Sequence, residues 1–218
     1  MDFDLGFAAS SLTIILGALG ATLGVTLASC VGACTFGFTF EMARRQGPIR
    51  RYVIGFIIDF IRSTPVLAWL YFLYFSLPFY GVKLPAILVG VLGLSLYFSG
   101  YLAEVFKAGI DAIPKGQFEA ARALGLNRLQ TVYLVLAPQM LRNIAAPLGN
   151  YFISILKATP YLAVIAAPEM LGKAFDIASD TYRYAEPLAA AGAVFLALAL
   201  LFSHLVKRLE KSIGYAGS

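Results

Sequence analysis

The sequence predicts an all-α polytopic membrane protein: five transmembrane helices and one helical loop on the cytoplasmic side. Three observations predict it. First, 60% of the 218 residues are hydrophobic and only 13% are charged, whereas soluble domains carry about 25% charged residues. Second, five apolar runs come near or above the ~20 residues that cross a hydrocarbon core. Third, Lys and Arg gather in alternate loops, as they do when one side of a bilayer retains them. The net charge of +5 therefore points to membrane topology and not to nucleic acid.

The spans follow in order. The first is expected over about Ser10 to Phe40 and carries Gly20, Gly24 and Ala28 on one helical face. Small residues four apart let a neighbouring helix approach closely, either from this chain or from a partner; Gly17, Gly32 and Gly37 are expected to ease the same packing. Cys30 and Cys34, one turn apart with no His or carboxylate beside them, read as small core residues. Asp2 and Asp4, with no base before Glu41, do not match the flank of a cleaved signal peptide. The second span starts after Arg50 and Arg51 and passes Trp69 towards Leu77; the third covers about Pro85 to Phe106. A fourth, punctuated by Pro147, Pro160 and Pro168, covers about Leu148 to Ala167, and the fifth about Pro187 to Val206. No internal repeat or low-complexity linker interrupts them, so residues 1–218 read as one domain with a loop at about 107–142.

Arg44, Arg45, Arg50 and Arg51 sit between spans one and two, Lys107, Lys115, Arg122, Arg128 and Arg142 between three and four, and Lys207, Arg208 and Lys211 after span five. The opposite side receives Asp2, Asp4, a loop with only Lys83, and the acid-rich segment from Glu169 to Glu186. Retention of Lys and Arg inside then places the N-terminus outside and the C-terminus in the cytoplasm.

Polar groups at membrane depth are costly and face a partner or a wet cavity. Asp59 and Arg62, three apart, can pair along their helix, and Thr64 precedes Pro65, which removes a backbone donor. Either a structural ion pair beside a kink or a cavity lining satisfies this pattern. Lys157 lies deep in the fourth span and calls for a countercharge from Asp59, Glu169 or a bound carboxylate; the sequence does not choose. Glu169 reads as a solvated acid at the outer mouth, Glu104 and Lys107 as a structural pair, and His204 as a packed residue. Gly172-Lys173 lacks the leading Gly of a phosphate-binding loop, and no nucleophile–base–acid set or metal spacing is present. The chain is not expected to be an enzyme.

The most informative segment is Glu119-Ala120-Ala121-Arg122-Ala123-Leu124-Gly125, followed by Val135-Leu136-Ala137-Pro138. It resembles the cytoplasmic loop of bacterial ABC-importer permeases, E-A-A, three residues, G, nine residues, I-x-L-P. Val135 stands for the Ile, and Ala137 departs from the Leu. Phe60 to Pro65 resembles the F-R-G-T-P box of the polar amino-acid permeases, with Ser63 for Gly. Ser99 to Gln117 resembles their lead-in to the loop, and Asn150 to Thr159 their N-x-F-I-x-L-x-K-D-T box. Two departures stand out: Ala158 replaces the usual Asp and Pro160 a Ser.

The resemblance implies a permease subunit of an ATP-driven importer for polar amino acids in the bacterial inner membrane. It would pair with a second permease, identical or sister, and with two ATP-binding cassette subunits that hold ATP and Mg; this chain itself would hold no cofactor. An external solute-binding protein would deliver the substrate. The coupling residues implied are Gln117, Glu119, Ala120, Ala121, Ala123 and Gly125. Glu119 is expected to start the coupling helix, where the dipole favours an acid, and Gly125 to end it in a left-handed conformation. A zwitterion needs both signs, or polar backbone, to replace its hydration. Asp59, Ser63, Thr64, Lys157 and Thr159 are the substrate-binding candidates, with Lys157 for the carboxylate and Asp59 for the ammonium. A stand-alone channel or ion-coupled carrier is the rival of another class, although five spans without an inverted repeat do not fit the common carrier plan. An ABC importer for a non-amino-acid solute is the other rival.

Overall fold

A computed structural model describes residues 3–212; Asp2 lies outside them. Four segments are long and apolar enough to cross a bilayer: Leu19–Arg44, Ala86–Asp111, Thr131–Thr181 and Ala185–Ser212. A bent pair, Pro48–Ser63 with Val66–Tyr80, makes the count five.

The expected first span divides in two. Helix α1 (Leu5–Gly17) starts where the Asp4 side chain accepts the Phe7 N–H at 3.0 Å, and Ala18 breaks the ladder before α2 (Leu19–Arg44). Each half has its own partners. Ile15 and Ala18 pack with Met170, Ala174 and Ala191, whereas Val25, Cys30 and Ala33 join the main core. Only α2 is therefore a span. Arg183 ties down the N-terminal end of α1: it lies 3.5 Å from Asp4, pairs with Glu186, and stands 4.4 Å over the Phe7 ring. The Phe7 N–H and the Arg183 charge hold the Asp4 carboxyl below its ordinary range.

Helix α3 (Pro48–Ser63) opens on a proline, whose missing N–H is harmless in a first turn. Pro65 ends it by forcing Thr64 into an extended conformation. The chain then turns by 98° into α4 (Val66–Tyr71), a π-helical turn over Phe72–Ser76 and a 3-10 turn over Leu77–Tyr80. The second span is thus a broken element and not a continuous helix. Pro85 precedes α5 (Ala86–Asp111), which outruns its expected end by one turn. Next come α6 (Lys115–Ala123), α7 (Arg128–Gln130), a π-helical turn over Thr131–Leu136, and α8 (Ala137–Ala158). The expected fourth span is displaced: α8 begins eleven residues before Leu148 and ends at Ala158, with a 3-10 turn over Thr159–Ile165. Helices α9 (Met170–Thr181) and α10 (Ala185–Ser212) complete the chain.

Helix α5 is the hub, with α2 along one side and α3, α4 and α8 against the others. The α2–α5 crossing is built from small residues, but not from the expected stripe. Gly20, Gly24 and Ala28 are exposed, and a Cβ at either glycine would meet nothing within 4 Å. The contact falls on the next face, where Ser29, Ala33 and Gly37 are buried. A Cβ at Gly37 would sit 2.9 Å from the Ser99 carbonyl oxygen and 3.1 Å from the Ala103 nitrogen. These are backbone atoms, which cannot swing away. Gly37→Val is therefore expected to destabilise the fold by about 3 kcal/mol through overpacking, and Gly20→Ala by under about 0.5 kcal/mol. Thermal unfolding of the purified subunit in detergent measures both, and equal midpoints would contradict this packing.

Candidate functional site

Two surfaces stand out: the loop helix α6, which carries the coupling candidates, and a groove beside Lys157.

Helix α6 starts after Pro114 and turns little of itself inward. Ala121 is 1% exposed and Phe118 is half-buried against the core, while Lys115, Gln117, Glu119, Ala120, Arg122 and Ala123 face outward. Gln117 accepts a hydrogen bond from Gln139 Nε2 at 3.2 Å, which fixes α6 to the start of α8. Gly125 has φ +71°; its N–H donates to the Arg122 carbonyl at 2.9 Å and the Leu126 N–H to the Ala121 carbonyl at 3.1 Å. That double closure is the glycine-dependent C-cap. Glu119 does not start the helix. It lies mid-way along it, and the first turn, opened by Pro114, carries no acid. Its carboxylate is displayed on the outer face instead of serving the dipole. Leu124 follows it and is 78% exposed, so the helix presents acid, base and apolar groups together. Pro138 falls in the first turn of α8, where a missing N–H is tolerated.

A charged network joins α2 to α5 near the end of α5 from which α6 follows. Glu41, at the end of α2, is 1% exposed and accepts from Arg44 Nε at 2.8 Å and Arg45 Nε at 2.5 Å. Arg44 Nη1 reaches Glu104 at 2.6 Å and Arg45 Nη2 reaches Asp111 at 2.6 Å, both on α5. Glu104 thus binds Arg44 first, with Lys107 more distant at 3.8 Å. Glu41, Arg44, Arg45, Lys107 and Asp111, with Arg51 from α3, line a 660 Å³ cleft. The cross-helix pairs of this network were not readable from sequence spacing, because their partners lie about sixty residues apart; only the local pairs of Glu41 with Arg44 and Arg45 and of Glu104 with Lys107 have helical spacing.

The substrate-binding candidates are not brought into one cavity. Asp59 is 75% exposed, 3.9 Å from Arg62, and faces a separate groove with Tyr52 and Phe56. Ser63 is exposed at the end of α3. The Thr64 hydroxyl donates to the Phe60 carbonyl at 2.8 Å, and that of Thr159, fully buried, donates to Leu156 at 2.8 Å. Both are spent on their own backbone. Glu169 is also unavailable to Lys157: it is fully buried and caps α9 by accepting the Gly172 N–H at 2.5 Å. The expectation of a solvated acid fails because a cap must follow its helix into the core. His204, expected to pack, is exposed on α10.

Lys157 is exposed between two grooves, one of 480 Å³ lined with Phe195, Leu200 and Ser203 and one of 400 Å³ walled by Tyr97, Phe98, Tyr101, Tyr151 and Tyr161. Tyr97 and Tyr101 share a hydroxyl contact of 3.2 Å, and Tyr101 and Tyr151 stack with centroids 5.8 Å apart. Arg62 lies 5.4 Å over the Tyr101 ring, while the Tyr101 hydroxyl donates to the Arg62 carbonyl at 3.2 Å. The α3 arginine thus reaches the groove through an aromatic ring, and Asp59 does not. The tyrosines escaped the sequence reading, although Tyr97 and Tyr101 are one turn apart and Tyr151 sits in the Asn150 to Thr159 box. On an apolar helix such residues look like ordinary packing.

Comparison with known proteins gives the context of both surfaces. Residues 33–215 match the family described as binding-protein-dependent transport system inner membrane component. A probable amino-acid ABC transporter permease protein, y4tG of Sinorhizobium fredii, is 38% identical over 98% of this chain and 93% of its own length. The arginine transport system permease protein ArtQ of Bacillus subtilis is 30% identical over 98% of each chain. A crystal structure of an amino acid ABC transporter with histidines superposes with TM-score 0.87 at 32% identity, over 97% of this chain and all of the other. The MetNI methionine ABC transporter shares the fold, with TM-score 0.76 at 18% identity over 92% of this chain and 96% of that one.

Proposed function

This chain belongs to the family of binding-protein-dependent transport system inner membrane components, and on that premise we propose that it is the permease subunit of an ATP-driven importer of amino acids. The observation that carries this is α6: a short helix closed by a left-handed Gly125, displaying Glu119, Arg122 and Leu124 outward. Such a surface suits a docked protein. Two ATP-binding cassette subunits supply ATP and Mg, a second permease copy or sister subunit completes the pathway, and an external binding protein delivers the solute. When the ATPases close, α6 moves with them. The network of Glu41, Arg44, Arg45, Glu104 and Asp111 then conveys that motion to α2 and α5 as rigid elements with two arrangements. Lys157 meets the solute carboxylate in the aromatic groove.

Reconstitution with the ATPase subunits and binding protein tests this reading. Amino-acid uptake into proteoliposomes is expected only with ATP inside the docked compartment; uptake by the permease alone would instead mark a channel or carrier. Lys157→Met is expected to reduce uptake at least about tenfold, the worth of ~1.4 kcal/mol of lost pairing, with assembly intact. Wild-type uptake in that variant would remove Lys157 from the path.

The orientation, N-terminus outside and C-terminus inside, follows from the loop charges. Single cysteines at Asp4, Lys83 and Asp180 are expected to react with an impermeant thiol reagent in spheroplasts, and ones at Gln46, Gln117 and Ser212 are not. Labelling at Gln117 would overturn both the orientation and the coupling role.

A further inference from the structure

We propose that the Lys157 groove selects an amino acid with a neutral aromatic side chain and rejects cationic ones; this rests on the reading that the groove is part of the solute path. Three observations carry it. Lys157 forms no ion pair among the described residues, so one cation is open to a ligand carboxylate. The walls are Tyr97, Phe98, Tyr101, Tyr151 and Tyr161, with Val66, Ser154 and Ala158 completing the lining and no carboxylate among them. Finally, Arg62 already covers a Tyr101 face at 5.4 Å, placing a second cation at the edge.

Each observation acts on a different part of the ligand. The carboxylate pairs with Lys157. The α-ammonium, lacking an acid, rests on a tyrosine face, which attracts cations through the ring quadrupole. The side chain then meets the remaining rings, where an aromatic partner gains by offset or edge-to-face stacking. A guanidinium or second ammonium in the same place would lie beside Lys157 and Arg62 with no anion to offset the repulsion or its lost hydration. A dicarboxylate's second charge would find only Arg62, already held over the Tyr101 ring and 3.9 Å from Asp59. The groove, at 400 Å³, lies within the range of small-ligand sites.

Direct binding to the permease–ATPase complex, without the binding protein, is the test, because the binding protein has its own selectivity. Isothermal titration with phenylalanine, glutamate, glutamine and arginine is expected to rank phenylalanine first, at least about tenfold tighter than arginine. Lys157→Met should lower phenylalanine affinity at least about tenfold and Lys157→Arg should retain it. Val66→Asp, which adds a carboxylate to the groove wall at the first position of α4, should raise arginine affinity about tenfold, with Val66→Asn as the uncharged control. Ala158→Asp is the second such variant should the first not assemble.

Arginine, glutamine or glutamate binding as tightly as phenylalanine would overturn the selectivity, and an effect of Lys157→Met would then still keep the groove in the path. Unchanged phenylalanine affinity in Lys157→Met would overturn the site itself. Absence of binding by the whole panel up to about 10 mM would overturn the inference.

Discussion

Gly125→Asp is expected to leave the protein inserted and assembled while lowering ATP-driven uptake by more than about tenfold. The residue has φ +71°, and a non-glycine there costs about 1–2 kcal/mol, less for Asp than for most side chains. The surroundings add no steric penalty, since a Cβ at Gly125 would meet nothing within 4 Å. A carboxylate at the C-terminal end of α6 adds a small unfavourable dipole term. None of this unfolds a membrane-embedded bundle, because α6 contributes only Ala121 and part of Phe118 to the interior. The damage falls outside the chain. A docked subunit that approaches the bare Gly125 backbone would meet a side chain and a negative charge in its place. ATPase activity without substrate should persist, whereas stimulation by the loaded binding protein should be lost. Substrate-stimulated uptake at wild-type rate in this variant would refute the coupling role of α6.

The legible and illegible parts of the sequence divide by range. Composition and loop charge identified the spans, because apolar length is a local quantity that a bilayer demands directly. Pro65 and Gly125 were readable for the same reason: each restricts its own backbone or its neighbour's. Helix ends set by tertiary contact were not. Gly17 weakens the helix locally without by itself marking a break, and α1 separates from α2 where Ile15 and Ala18 join Met170 and Ala191 in a second core, a contact no local pattern displays. The small-residue stripe was a choice between faces. Gly20, Gly24 and Ala28 were as regular as Ser29, Ala33 and Gly37, and only the partner α5 decides between them. The candidate site failed similarly. Polar residues at membrane depth were pooled on the premise that all face one cavity, yet the hydroxyls of Thr64 and Thr159 close onto their own helices. Asp59 turns to another groove. Lys157 kept its opening because α8 ends at Ala158 and the 3-10 turn carries the chain away.

Glu41→Ala is expected to have the largest stability effect of any single charge removal at the end of the bundle that carries α6. Glu41 is 1% exposed, and its two carboxylate oxygens serve two arginines. Removing one member of a buried pair leaves the other uncompensated, at about 3–5 kcal/mol. The two arms weigh differently. Arg44 is 11% exposed and loses its second anchor, so most of the cost belongs there; Arg45 is 37% exposed, so water screens its share. A total near 3 kcal/mol corresponds to a fall of about 6–12 °C in Tm for a chain of this size. Glu41→Gln keeps the volume and one acceptor and should fall about half as far, whereas Arg45→Ala should change Tm by less than about 3 °C. The same ranking should hold for coupling, since Asp111 and Pro114 bracket the short link from α5 to α6. A softened Glu41 network would let α6 move without taking α2 along, so Glu41→Gln should hydrolyse ATP with less uptake per ATP. An unchanged Tm in Glu41→Ala would show that the arginines are satisfied by Glu104 and Asp111 alone.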